Sequence, residues 1–280
     1  MAVRLHAARN LAKALLFLGG FVALMTAFGW WVGGFGVGSV FLVVALLMVA
    51  TLHWYGPRIV LASLGARELT LAEQPVLHTT VERLALAARV ERPKLYLLPD
   101  GHPRAFAVGR GASASGIAVS QGLLGVATPA ELEGVLAHEL AHVRLRDVAV
   151  QTPLVIVATW IVESSRIGGA LERALLFVLG PVSASLVQVL LSPKREFLAD
   201  AYAARLLESP HPVADALLRL EATQELVRFR ASPVTEPLYT VNPFPTVGIA
   251  ALFSTHPPIG ERVQRLRELD ADWREKLRAA

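Results

Sequence analysis

From Ala14 to Pro57 the chain carries no Asp, Glu, Lys or Arg. A helix crossing the hydrocarbon of a bilayer needs about 20 apolar residues, so this window has room for two such helices and a short turn. The stretch Gly33-Gly34-Phe35-Gly36-Val37-Gly38 in its middle breaks a single continuous helix. The window therefore predicts a transmembrane hairpin, Leu11–Val32 and Phe35–Tyr55. Trp30, Trp31, Trp54 and Tyr55 sit at the ends, where aromatic rings favour the membrane interface. Composition agrees with contact to lipid: hydrophobic residues make up 54% and charged residues 18%, with a mean hydropathy of +0.48. Soluble domains carry about 25% charged residues.

A cleaved signal peptide is the competing reading, because Arg4, Arg9 and Lys13 precede the first apolar run. The second run follows at once with no convincing small-x-small cleavage site between them, which favours the hairpin. Arg4, Arg9 and Lys13 on one flank and Arg58 and Arg67 on the other put both flanks on the cytoplasmic side. The expectation is a multi-pass protein of a bacterial-type inner (cell) membrane, in contact with the lipid bilayer, with its soluble part and both termini in the cytoplasm. The net charge of +4 and pI near 9.7 fit that topology. No base-stacking motif or dense Lys/Arg run accompanies them, so no nucleic-acid partner is expected. Without cysteine there is neither a disulfide nor a thiolate metal ligand.

Four segments follow from the pattern of charge and apolar runs: a hairpin over 1–57, a soluble part over 58–147, a second apolar hairpin over 148–192, and a soluble part over 193–280. In the first soluble part, Val76–Val90 has the period of an amphipathic helix. Lys94–Leu98, Ala105–Val108 and Gly116–Ser120 are short runs bounded by Pro and Gly and read as strands, the last two joined by a flexible loop from Gly109 to Ser115. Ala174–Ser192 is free of charge and long enough to span. Val148–Val162 is short for a span and is either tilted across the bilayer or a buried or re-entrant helix. Ser232–Thr246 holds Pro233, Pro237, Pro243 and Pro245, which excludes a regular helix and suggests a loop or lid.

The chemistry sits at His138-Glu139-Leu140-Ala141-His142. Thr128-Pro129-Ala130-Glu131 opens the helix that carries it, with an N-capping Thr, Pro at the first position and Glu three residues after the cap. His138 and His142, at i and i+4, present two imidazoles on one face with room for one metal ion. Glu139 lies about 100° round the helix, poorly placed to bind that ion and well placed to act as a general base on water beside it. A catalytic zinc takes three protein ligands and keeps one position open, so a third ligand must come from His, Asp or Glu elsewhere. Glu196 and Asp200 share a helix face at i and i+4, a spacing that suits either a surface carboxylate pair or a functional one.

These pieces resemble the HtpX-type membrane metalloproteases, relatives of the CAAX prenyl proteases. The similarity is carried by Ala105-Phe106-Ala107-Val108-Gly109, by Ile117 to Leu124, and by Leu136–His142 followed by Asp147. It continues with Arg195–Ala201, and with Phe253-Ser254-Thr255-His256-Pro257-Pro258 followed by Arg262. The resemblance implies a mostly α-helical integral membrane protein with a cytoplasmic α+β zincin-like protease domain and a small β-sheet. It implies one zinc ion per chain, with Glu196 as the third ligand beside His138 and His142. It further implies Asp200 as the orienter of a ligand histidine, His256 as a stabiliser of the oxyanion, and Arg262 as partner to a carboxylate behind the site. Ala105, Phe106, Ala107 and Val108 correspond to the edge strand along which family members hold an extended substrate. Arg104 departs from the family, which has Asn at that position. The implied activity is endopeptidase cleavage of polypeptides, membrane proteins that are misfolded or damaged, with Glu139 as the general base. The competing readings are CAAX prenyl protease-like processing, disfavoured by having only four candidate spans, and a catalytically inactive membrane scaffold. The presence of Glu139, both histidines and Glu196 argues against the scaffold.

Overall fold

The computed structural model describes residues 2–164, 168–224, 237–238, 240 and 254–279. Most of the Pro-rich segment, with Pro233, Pro243 and Pro245, lies outside the described residues, as does Phe253.

With no charge to interrupt it, the apolar window extends in both directions into one helical run, α1, from Ala2 to Ser63. The run is two helices. Gly33 (φ −150°, ψ 25°) and Gly34 (φ 67°, ψ −161°) leave the helical region, and the conformation of Gly34 is one that only glycine adopts without strain. The arms fold back on each other at this break. The rings of Phe28 and Phe41 stand 5.8 Å apart, and a Cβ on Gly29 would collide with Phe41 and one on Gly38 with Trp30. Leu15, Leu16, Leu24, Trp31, Phe35 and Leu47 remain exposed on the outside of the arms. Among the described residues, Val3–Ser63 is the one helical stretch that is long and apolar enough to cross a membrane by itself.

A four-stranded sheet follows: β1 (Arg67–Glu68), β2 (Lys94–Leu98), β3 (Ala105–Gly111) and β4 (Ala114–Ser120), in the order β1-β2-β4-β3. β2 and β4 are parallel, and β1–β2 and β3–β4 are antiparallel, so β3 forms an edge. The seven-residue loop expected from Gly109 to Ser115 is instead mostly strand. Only Ala112 and Ser113 turn, and a register slip between Gly109 and Gly111 is absorbed by glycine at φ +147°. Residues this small allow the strands to close up: a Cβ on Gly109 would lie 2.7 Å from the Ala114 carbonyl oxygen.

Nine helices are described in all. Besides α1, they are α2 (Pro75–Ala88), α3 (Gln121–Val126), α4 (Pro129–Arg144), α5 (Val148–Ser164), α6 (Gly169–Leu190), α7 (Lys194–Leu206), α8 (His211–Gln224) and α9 (Ile259–Ala279). In α2 the inward face is Leu77, His78, Val81, Leu84, Ala85 and Ala88. Val76 and Leu86, apolar like that face, point outward instead.

The sheet separates two cores. Leu95, Leu97, Ala105, Ala107, Ile117 and Val119 on one face meet α2, α4, α8 and α9. Phe106, Val108 and Ala118 on the other meet Leu52, Val60 and Leu61 of α1 and Val155 and Ile156 of α5. Side chains alternating along β3 thus feed both cores. α5 is buried from Pro153 to Ile156 and packs on α1, β3 and α6. It leaves α4 at a 91° bend.

Candidate active site

The capping box that starts α4 is formed as its residues dictate. Thr128 accepts from the Glu131 N–H and Glu131 accepts from the Thr128 N–H. Two turns on, α4 runs between β3 and α7, so His138, Glu139 and His142 are all buried. The Nε2 atoms of the two histidines face each other at 3.1 Å. α7 lays Glu196 across them, with Oε2 3.4 Å from His138 Nε2 and Oε1 3.7 Å from His142 Nε2.

Three tests ask whether these residues suit a metal ion. Donors at about 2.0–2.1 Å from a tetrahedral ion stand ~3.3 Å from one another, and the three separations bracket that figure. Glu196 is fully buried, yet neither carboxylate oxygen has a hydrogen-bond partner. Arg195 Nε at 3.0 Å from Oε1 and Arg262 Nη1 at 3.6 Å from Oε2 offset its charge, but they leave the hydrogen-bonding capacity of both buried oxygens unused, which a metal ion would take up. Among the described residues, His138, His142 and Glu196 are also the one group with metal-ligand spacing. The site therefore fits a metal of the kind that accepts nitrogen and oxygen donors.

A layer of ion pairs and hydrogen bonds fixes the ligands. Asp200, one turn after Glu196, brings Oδ1 to 2.9 Å from His138 Nδ1. Arg262 grips Asp200 with two parallel bonds, Nε to Oδ2 at 2.8 Å and Nη2 to Oδ1 at 2.7 Å. On the other side, Asp147 Oδ2 lies 2.7 Å from His142 Nδ1. Asp147 is in turn held by Asn10 and His6 of α1.

Electrostatics follow from this geometry. Burial pushes the Glu196 carboxyl pKa up, but the charges of His256, His142 and Arg195 outweigh it and hold it well below the usual range. Burial pushes His142 down, but the Glu196 charge and the Asp147 hydrogen bond raise it to about 10. Asp200, despite burial, is held at about 2 by Arg262.

Glu139 stands beside the ligands. Its Oε2 accepts from the Ala107 N–H at 2.9 Å, and its Oε1 accepts from the Thr240 hydroxyl at 3.1 Å. His256 brings Nε2 to 3.6 Å from Glu196 Oε2 and lines the same small space. Thr240 is also 3.1 Å from the Ala105 carbonyl oxygen, and the Gly109 N–H donates to Thr152 at 3.2 Å. Three outward groups of β3 therefore have partners beside them: one in α4, one in α5, and one in Thr240. Pro237 accepts from Gln151 Nε2 at 2.8 Å, and Gln151 Oε1 accepts from Arg195 at 2.6 Å. The space left among Phe106, Glu139, the histidines, Gln151, Pro237 and Leu238 is about 10 Å³, too small for a peptide.

His138, Glu139, His142, Glu196, Asp200, His256 and Arg262 gather here with Ala105, Phe106 and Ala107, whereas Val108 turns its side chain into the core against α1 and α5. Arg104, the departure from the resembled family, is buried and turned toward Asp100 at 2.8 Å. Sequence reasoning missed Asn10, His6, Gln151, Arg195 and Thr240. Asn10 had the clearest available signal, a strong hydrogen-bonding side chain next to an apolar span.

Comparison with known proteins agrees with the site. The model of "Peptidase family M48" matches residues 71–270. A "Protease HtpX homolog" of Acidiphilium cryptum is 38% identical over 280 residues, covering 93% of this chain and 96% of that protein. One of Pyrococcus abyssi is 37% identical over 267 residues, covering 88% and 91%. The crystal structure of Ste24p from S. mikatae aligns at 19% identity with a TM-score of 0.49, covering 95% of this chain and 66% of that one. The chain belongs to peptidase family M48 and is a metalloprotease.

Proposed function

We propose that this chain is a zinc-dependent endopeptidase of the membrane, with His138, His142 and Glu196 as the metal ligands and Glu139 as the general base. The observation that carries the reading is the buried Glu196 carboxylate, with no hydrogen bond to either oxygen, facing two histidine nitrogens. A zinc ion there acidifies water and polarises a peptide carbonyl. Everything else is done by the chain's own side chains. Glu139, already oriented by the Ala107 N–H, accepts a proton from water as it attacks and returns it to the leaving amine. His256, beside Glu196, donates to the developing oxyanion. Asp200 and Asp147 hold the two imidazoles by their Nδ1 atoms, and Arg262 holds Asp200.

Substrate strands pair with β3 through Ala105, Phe106, Ala107 and Val108. Main-chain pairing ignores side-chain identity, which suits polypeptides of varied sequence. Because the Ala107 N–H is spent on Glu139, the outward groups to be offered are carbonyls, that of Ala107 and, once Thr240 leaves it, that of Ala105. Pro237, Leu238 and Thr240 thus serve as a lid, closed at rest.

The exposed apolar arms of α1 support insertion in a lipid bilayer. The α5–α6 pair forms the second apolar hairpin, and the Arg and Lys residues on both flanks of α1 support a cytoplasmic protease domain in a multi-pass protein of the cell membrane. Misfolded or damaged membrane proteins are substrates a site so placed can reach. The relatives' names as HtpX proteases support proteolysis as the activity.

The test is zinc content and casein cleavage of detergent-purified protein beside Glu139→Ala and Glu196→Ala. The parent should hold about one zinc per chain and cleave. Glu139→Ala should keep the metal and lose activity, and Glu196→Ala should lose both. Tight zinc binding by Glu196→Ala would move the third ligand elsewhere.

A further inference from the structure

One face of the amino-terminal arm of α1 is polar although its surroundings are apolar. His6, Asn10 and Lys13, at i, i+4 and i+7, lie on one side of the helix and all three reach into the protein. Lys13 Nζ donates to the Leu190 carbonyl at 2.9 Å. The other two converge on Asp147. An Asn amide nitrogen has two hydrogens, and Asn10 uses both acceptors within reach, the Leu145 carbonyl at 3.0 Å and Asp147 Oδ1. His6 brings Nε2 to 3.1 Å from the same Oδ1. The opposite oxygen, Oδ2, faces His142 Nδ1 at 2.7 Å. Asn10 and Asp147 are both buried, so water does not substitute for any link in this series.

We propose that Asn10, supported by His6, is a positioning residue for the metal centre. It pins one oxygen of Asp147 so that the other holds the ring of His142, which makes the amino-terminal helix a component of the metal site as well as an anchor. A carboxylate turns about its own side-chain bonds unless both oxygens are held. Here the fold holds one oxygen from α1 and presents the other to a ligand. By also capping the Leu145 carbonyl at the end of α4, Asn10 fixes the position from which Asp147 is launched. The inference rests on the reading of His142 as a ligand, and its test separates the two.

The experiment uses full-length protein in detergent: zinc affinity by competition with a chelator, and the visible absorption of the cobalt-substituted protein. The variants are Asn10→Leu, Asp147→Asn, their double, His6→Ala and His142→Ala. Loss of a hydrogen bond behind a metal ligand weakens binding about 10- to 100-fold, and that loss is expected for Asn10→Leu together with a changed cobalt spectrum. Because Asn10 acts through Asp147, the double variant should bind zinc no more weakly than Asp147→Asn alone. If Asn10→Leu does not fold, His6→Ala, which removes one of two groups on Oδ1 at a half-buried position, should still shift the cobalt spectrum and weaken zinc. Additive losses in the double variant, or a parental affinity and cobalt spectrum in Asn10→Leu, would overturn the proposal and leave Asn10 a mere tether. Parental zinc affinity in His142→Ala would instead remove the ligand assignment, and the proposal with it.

Discussion

Thr240 closes the active site with a single hydrogen atom. Its hydroxyl lies 3.1 Å from Glu139 Oε1 and 3.1 Å from the Ala105 carbonyl oxygen. A hydroxyl donates once, so only one of these bonds exists at any moment, and the one to a carboxylate is the stronger. Thr240→Val keeps the shape and deletes the donor. The closed state then loses one bond to a charged group, about 1.5–3 kcal/mol. Counting both contacts would double the figure wrongly. A substrate that has to displace the segment to reach Glu139 is spared that amount, and apparent affinity scales with the open fraction. The backbone of the segment keeps two anchors, Arg262 on the Thr240 carbonyl and Gln151 on the Pro237 carbonyl, each at 2.8 Å. They leave the net gain at the lower end, so KM should fall about tenfold with kcat little changed. Steady-state cleavage of a quenched-fluorescence peptide in detergent, with KM and kcat resolved separately, measures this. A KM equal to or above the parent's would show that substrate enters without moving the segment, and the lid reading would fail.

Three other expectations follow from the same geometry. Arg262→Met leaves Asp200 charged and buried without its partner, a change that costs about 3–5 kcal/mol and should appear as a lower thermal midpoint of the metal-free protein; an unchanged midpoint would deny the pair its structural weight. The pKa of His142 is raised to about 10 in the folded chain, above ~6.5 in the unfolded one. The stability it contributes is therefore fully present below the unfolded value and lost as pH rises toward the folded one, so the metal-free midpoint should decline across that window. Zinc competes with the same protons, and its affinity should rise about tenfold per pH unit for each proton released; a flat profile in chelator competition would contradict this. Finally, Gly34→Ala places a Cβ where nothing stands within 4 Å, so its cost is backbone strain alone, of order 1–3 kcal/mol. Thermal unfolding in detergent should show a loss that Gly36→Ala, at helical backbone, does not.

What was legible in the sequence was local. The capping box at Thr128, the shared face of His138 and His142, and the chain break in the glycine run each depend on residues within a turn or two of one another. Where partners lie far apart along the chain, the reading stopped short. Glu196 and Asp200 were ambiguous from spacing, because only the packing of α7 on α4 tells a ligand and its neighbour from a surface pair. The strands β3 and β4 were found but drawn too short, since Gly109, Gly111 and Ser115 have little strand preference of their own and extend only because they pair. Thr240 carries no signal at all, and Asn10 only its polar side chain beside an apolar span, as their partners, Glu139 and Asp147, lie more than 100 residues away.

The charges around the site explain why the metal and the histidine protons are alternatives. Asp147, Glu139, Glu196 and Asp200 are buried together, facing the buried guanidiniums of Arg195 and Arg262. The four carboxylates outnumber the two guanidiniums where water is excluded, an arrangement that is costly unless it is neutralised, in part by His256 beside Glu196. Neutral imidazoles do nothing to offset it. Two protons on His138 and His142 do, which is why both histidines have pKa values raised above the ordinary one despite a burial that pushes them down. A divalent cation does the same with the imidazoles neutral, the form in which they bind metal. The raised histidine pKa values and the Glu196 oxygens left without a hydrogen bond are therefore two expressions of one deficit. A substitution that removes one of the four carboxylates, such as Asp147→Asn, should weaken zinc binding and lower the His142 pKa together. Metal affinity falling while the histidine titration in the metal-free protein stays in place would break that link.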